Sequence, residues 1–173
     1  MDIEIRPEAK GDYTEVGTVN DLAFGQPGEG AMVEALRYNP RFIRGLSLVA
    51  CVDGLVVGHI LFFPVDIETP GERVESLSLA PLAVLPEYQN MGIGGKLIEA
   101  GVEAARCMGF ASVIVMGHPG YYSRFGFKPA SQWCIRPPME APEEAFMALE
   151  LARGSLKGKA GTVVYPREYD AAL

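Results

Sequence analysis

The residues of this sequence best arranged for chemistry stand together in Gln89-Asn90-Met91-Gly92-Ile93-Gly94-Gly95-Lys96. They follow an apolar stretch ending Leu82-Ala83-Val84-Leu85-Pro86 and precede a helical pattern, so the loop joins a strand end to a helix start. Such a junction gathers free backbone N–H groups around one point with the helix dipole behind them. The chemistry it supports is anion binding, phosphate above all. Gly92 and Gly94 let the backbone approach the anion closely, and Lys96 adds a positive charge. Spacing then separates three phosphate motifs. A Walker loop needs Gly-Lys-Ser/Thr with a glycine ahead of it, but Leu97 follows Gly95-Lys96 and position 90 is Asn. The dinucleotide fingerprint G-x-G-x-x-G starts at Gly92 and Gly94 and then meets Leu97, with no acidic ribose ligand on a second parallel strand. What remains is Q-x-x-G-x-G, from Gln89 to Gly94.

The elements that must position this loop follow from hydrophobic periodicity. Asp2 to Arg6 alternates Ile3 and Ile5 with charge, the period of a half-buried strand. Two helices are predicted over Glu8 to Phe24 and Gly28 to Tyr38. Leu46 to Val52 and Val56 to Ile67 meet at Asp53-Gly54, a dipeptide suited to a tight hairpin, and should pair antiparallel. Val74 to Leu85 is a fourth strand closed by Pro86. Leu97, Ile98, Gly101, Val102 and Ala105 make one face of a helix that stops near Gly109, and Ser112 to Met116 reads as a fully buried strand. The unit from Leu79 to Met116 is thus a parallel crossover. A short aromatic helix follows near Tyr121 to Phe125, and Phe146 to Leu151 and Thr162 to Tyr165 are the last strands. No repeat or linker divides the chain, which predicts a single domain over 1–173.

Composition excludes several classes. A chain of 173 residues, 49% hydrophobic, with a net charge of −7 is globular rather than disordered. Acidic residues outnumber basic ones by 22 to 15 with no Lys/Arg cluster, so a nucleic-acid partner is not expected. No apolar run reaches the roughly 18 residues of a membrane span. Nor does the start of the chain read as a signal peptide, so the cytoplasm is the expected compartment, and no membrane partner is expected. Cys51, Cys107 and Cys134 stand far apart from one another and from His59 and His118, so no metal is expected, and the thiols read as mostly buried small hydrophobes. His59 reads as a satisfied core histidine. An apolar set, Phe24, Met32, Phe62, Phe63, Trp133 and Met139, is either an acceptor pocket or, by preference, plain core. The stretch from Ser131 to Ala145 is long for a hairpin connection and is expected to shape the acceptor side.

With its strand ending Val-x-Pro, the Q-x-x-G-x-G loop resembles the GCN5-related N-acetyltransferase (GNAT) superfamily. The resemblance has a second part, Tyr122-Ser123-Arg124-Phe125-Gly126-Phe127, which matches the family's downstream Tyr-x-x-x-Gly-Phe. Pro81 to Pro86 taken with Tyr121 to Phe127 is most similar to the YhbS-like branch of predicted acetyltransferases. The resemblance implies an α/β (mixed α+β) acyl-CoA N-acyltransferase fold, a central twisted mixed sheet with a splayed parallel strand pair and helices on both faces. It also implies acetyl-CoA as co-substrate and a primary amine of a small molecule or peptide as acceptor. Cofactor contacts are expected at Leu82, Ala83 and Val84 for the pantetheine arm, and from Gln89 through Asn90, Met91, Gly92, Ile93, Gly94 and Gly95 to Lys96 for the pyrophosphate. A homodimer is left open.

For acetyl transfer, Tyr122 holds the family's proton-donor position, while Tyr121 stands one place out of register. A phenol with pKa near 10 protonates a thiolate near 8.5 only if the site lowers its pKa or couples the two motions. The general base stays open. Strand Ser112 to Met116 has no ionisable group where many relatives carry a glutamate, which leaves His118, Glu75 or an ordered water. His118, standing before Pro119-Gly120, could equally cap a turn. Two rivals are kept: a non-catalytic acyl-CoA sensor, and a hydrolase, which the absence of G-x-S-x-G disfavours.

Overall fold

The computed structural model describes residues 1–173. The chain falls into two compact units, one of Met1–Phe63, Ala80–Ala104 and Arg167–Leu173, the other of Pro64–Leu79 and Ala105–Pro166.

In the first unit, β1 (Ile3–Pro7) pairs antiparallel with β2 (Ser47–Val52), Ile3 lying opposite Val52 and Pro7 opposite Leu48. β2 turns back into β3 (Leu55–Thr69) through Asp53 and Gly54, at φ 51° and 78°. Positive φ at both central residues is what a two-residue hairpin with native twist requires. Helix α1 (Tyr13–Phe24) starts later than the periodicity suggests, because the residues before it are held otherwise. Asp12 accepts the Ala9 N–H at 2.8 Å and two bonds from the Arg6 guanidinium, at 2.7 and 3.0 Å. Gly25, at φ 67°, ends the helix in the left-handed C-terminal position. Helix α2 (Gly28–Leu36) follows, and Val16, Met32, Val33, Leu36, Val49, Leu61 and Phe63 bury a common core.

Helix α3 (Ile93–Cys107) opens beyond the end of β4 (Glu72–Val84) and buries Ile93, Leu97, Ile98, Gly101 and Ala105, close to the predicted face. Two glycines bring it close to β3. A Cβ at Gly101 would fall on the Phe62 ring, and one at Gly58 would stand 3.1 Å from Leu97 Cδ1 and 3.2 Å from Ile93 Cγ2.

In the second unit, β5 (Ser112–Met116) runs parallel to β4, from Leu77 opposite Val113 to Leu79 opposite Val115. The ladder ends there, one residue before the end of β5, while β4 continues to Val84. On its other side β5 pairs antiparallel with β8 (Phe146–Glu150), which in turn pairs with β6 (Lys128–Pro129). The predicted aromatic helix is α4 (Pro119–Tyr122) followed by a 3-10 turn over Ser123–Phe125. β9 (Gly161–Val164) pairs with β3 at Asp66 to Glu68 and runs parallel to β7 (Ile135–Arg136). The Ser131 to Ala145 stretch is therefore not a bare connection, since it supplies a strand whose only signal in the sequence is two residues long.

The thiol expectation needs correcting. Cys51 is buried, but Cys107 and Cys134 are exposed. Cys107 ends α3, and Cys134 sits at φ 57° beyond a 3-10 turn, positions set by backbone ends rather than by core packing. Among the apolar candidates, Met32, Phe62 and Phe63 are core, whereas Phe24 and Met139 are exposed and Trp133 packs half-buried against the Val65 and Ile67 cluster. No helix is long and apolar enough to cross a membrane.

Candidate functional site

At the end of β4 a 3-10 turn over Pro86–Tyr88 carries the chain round. Two bonds fix it: the Leu85 N–H donates to Val57 O at 2.8 Å, and Gln89 Nε2 donates to Val84 O at 3.0 Å. Gln89 is thus a strut that ties the loop to the strand end through one N–H of its side-chain amide. Asn90 and Gly92 are left-handed, at φ 63° and 83°. Asn tolerates that region and glycine adopts it freely.

Gly92 O accepts the Lys96 N–H at 3.1 Å, which makes Gly92 the cap of α3. The N–H groups of Ile93, Gly94 and Gly95 then precede any acceptor within the helix. A Cβ at Gly92 would meet nothing within 4 Å, so the backbone at the helix start is open on that side. The first turn holds no acidic residue, and Lys96 is exposed beside it. Free donors, the positive end of a long helix and an open approach together suit a phosphate or pyrophosphate. Leu82 and Val84 are half-buried and Ala83 is buried at the strand end.

In the second unit, Tyr122 ends α4 with its ring edge-on to Tyr121, at a centroid distance of 5.1 Å, and to Phe127, at 5.7 Å. Burial, helped by the neighbouring Tyr121, pushes its phenol up to about 12. The shift is opposite to the lowering that free proton transfer to a thiolate would need. His118 is exposed, and its Nδ1 accepts the Gly120 N–H at 3.1 Å. The capping alternative is the one the geometry records. Glu75 is exposed on β4, and no three His, Cys, Asp or Glu side chains group together as a metal site would need.

Sequence reasoning passed over a buried polar network in the first unit. Glu8, Asn20, Ser47 and His59 are each buried, although they lie far apart in the chain. Arg37 donates to Glu8 at 2.7 Å through Nε and at 3.2 Å through its terminal nitrogen, and stacks over Tyr13 at 3.9 Å. Ser47 Oγ donates to Glu8 Oε1 and stands 2.9 Å from His59 Nε2. Asn20 Nδ2 donates to Val16 O at 2.9 Å and lies 3.2 Å from His59 Nδ1. One proton placement satisfies the chain: Asn20 donates to Nδ1, neutral His59 donates from Nε2 to Ser47, and Ser47 donates to the Glu8 carboxylate. Burial lowers the His59 pKa, which agrees with the neutral ring. His59 is therefore the satisfied core histidine expected.

A family model described as an acetyltransferase (GNAT) domain matches residues 4–130. The chain belongs to the GNAT acetyltransferase family. It is 41% identical over 140 residues to the uncharacterized N-acetyltransferase YjhQ of Escherichia coli K12, covering 78% of this chain and 75% of that one. It is 34% identical over 167 residues to the uncharacterized N-acetyltransferase YhbS of the same strain, covering 96% and 98%. Among solved structures, E. coli YhbS in complex with CoA superposes with a TM-score of 0.90 at 32% identity, over 97% of this chain and 92% of that one. A GNAT family acetyltransferase from Brucella melitensis in complex with acetyl-CoA gives 0.80 at 35% identity, over 98% and 99%. The Q-x-x-G-x-G loop and the Tyr-x-x-x-Gly-Phe turn of this GNAT chain thus sit in the fold to which the sequence pointed.

Proposed function

We propose that this GNAT enzyme binds acetyl-CoA at the β4–α3 junction and transfers the acetyl group directly to a primary amine of a small molecule or peptide. The single observation that carries the reading is the cluster of backbone N–H groups of Ile93, Gly94 and Gly95 at the start of α3, beside the open backbone of Gly92. The pyrophosphate takes these donors, with Gln89 bracing the loop and Asn90, Met91 and Lys96 flanking it. The pantetheine arm takes backbone groups of Leu82, Ala83 and Val84. Support comes from two relatives that carry CoA and acetyl-CoA in their crystals. Tyr122 gives its phenol proton toward the departing thiolate. The whole chain is treated as one N-acetyltransferase domain, because each compact unit is assembled from non-contiguous segments and neither is a stretch that could be cut out.

Acetyl-CoA is expected to raise the melting temperature while NAD and ATP do not. At about 100-fold excess over the dissociation constant the stabilisation is roughly 2.7 kcal/mol. Gly92→Val should remove the effect, because a β-branched residue is strained at φ 83° and its side chain fills the open approach. Stabilisation by NAD with none from acetyl-CoA would overturn the assignment.

The amine proton leaves through water. The Nδ1 of His118 is occupied by the Gly120 N–H, so that nitrogen takes no proton while the cap holds. With β5 free of ionisable groups, the rate at low acceptor concentration should rise with pH along the acceptor's own ionisation, about 10.4 for a lysine-like amine. The inflection should move with acceptors of different pKa and survive Glu75→Gln. A fixed inflection near pH 6 to 7 that vanishes in His118→Ala would instead make His118 the base.

A further inference from the structure

We propose that Gly117 and His118 are positioning residues for Tyr122: Gly117 leaves the ring a seat that any side chain would occupy, and His118 caps the helical turn that carries it. The inference deepens the reading of Tyr122 as proton donor and, for its effect on rate, rests on it.

Gly117 directly follows β5, and its N–H donates to Ala145 O at 2.9 Å, so its backbone is pinned. Its φ lies outside the left-handed region, so the backbone does not demand glycine there. Space demands it. A Cβ at Gly117 would fall on Tyr122 Cε2, 3.0 Å from Cδ2 and 3.5 Å from Cζ. Cε2 adjoins the carbon that bears the hydroxyl, so a ring pushed away at that edge carries the phenol oxygen with it. The ring is also bounded by the edges of Tyr121 and Phe127, and Phe127 is itself buried.

His118 works one step further back. Its carbonyl accepts the N–H groups of Tyr121 at 3.1 Å and Tyr122 at 3.2 Å, while its Nδ1 takes the Gly120 N–H. A four-residue helix has few bonds of its own, so a side chain that satisfies one of its first donors fixes the turn.

The test is a double-mutant cycle on the full chain, read as thiol release from acetyl-CoA with whichever acceptor yields most thiol in an amine panel. Gly117→Ala should lower kcat by roughly ten- to a hundredfold, the cost of misplacing a reacting group by about 1 Å. The KM for acetyl-CoA should change little. In a Tyr122→Phe background the same replacement should cost less than about threefold, since no hydroxyl is left to misplace. Factors that simply multiply overturn the proposal. His118→Ala should slow the enzyme, and His118→Asn, which can cap but cannot act as a base near neutral pH, should recover most of the loss with the pH profile unmoved. An Asn variant as slow as the Ala variant overturns the capping role. A full-rate Tyr122→Phe enzyme would fault the proton-donor reading instead, and the seat is then judged by stability. Gly117→Ala should lower the melting temperature less in a Tyr122→Ala background than in the wild-type chain, and an equal loss in both overturns it.

Discussion

Glu8→Ala is expected to cost roughly 3 to 5 kcal/mol of folding stability, because it leaves the Arg37 guanidinium with no counter-charge in a site that admits almost no water. Ser47 loses its acceptor in the same step. In a chain of this size the melting temperature should fall by about 6 to 20 °C. Replacing Glu8 and Arg37 together by methionine should cost clearly less than Glu8→Ala alone, since no buried charge is then left unpaired. Equal losses in the two variants would mean that the pair contributes only through packing.

The same network sets an acid limit. Burial by itself would raise the Glu8 carboxyl, but hydrogen bonds from His59, Arg37 and Ser47 outweigh it and hold the group at about 2. A carboxyl depressed in the folded state contributes stability that is complete above its ordinary value, about 4.3, and is lost as pH falls toward the folded value. The His59 pKa is also depressed, by burial, so its contribution begins to decline as pH drops through the ordinary histidine value, about 6.5. Stability measured by denaturant at a series of pH values should therefore decline first below neutrality and again below about pH 4. Glu8→Gln should weaken the second decline and leave the part due to Asp12, whose carboxyl the Arg6 guanidinium also holds down.

Tyr122→Phe is expected to lower kcat by ten- to a thousandfold with acetyl-CoA affinity nearly unchanged, since the ring and its contacts with Tyr121 and Phe127 remain and only the hydroxyl goes. The phenol, pushed up to about 12, lies well above a free thiolate near 8.5, so complete transfer of its proton to a free thiolate would be uphill. In the proposed reaction the hydroxyl donates a hydrogen bond to the charge growing on sulfur, and its proton crosses only as the thiolate departs. Two results check this: a solvent isotope effect on kcat that disappears in Tyr122→Phe, and no loss of rate from phenol ionisation until well above pH 10. A Tyr122→Phe enzyme at full rate would move the role to Tyr121 or to water.

What the sequence determined by itself is what depends on neighbours along the chain. The Asp53-Gly54 turn, the apolar face of α3, the Q-x-x-G-x-G loop and the Tyr-x-x-x-Gly-Phe turn are each written within a few residues, because turn chemistry, helical period and close backbone approach are local demands. Only the tertiary structure decided the rest. Glu8 reads as the first residue of a helix, yet its carboxylate is claimed by Arg37, Ser47 and His59 from three other elements, and no local pattern records such a bargain among distant groups. β7 is two residues with no period to detect, and it exists because β9 offers it an edge. Gly117 looks like one more loop glycine until the Tyr122 ring is found where its side chain would be. His118 reads in the sequence as either a base or a cap, and whether its Nδ1 takes a proton or a backbone N–H depends on where Gly120 stands. Local propensity fixes which elements form, while desolvation and close packing between distant residues decide which polar groups keep their charge and which are spent on structure.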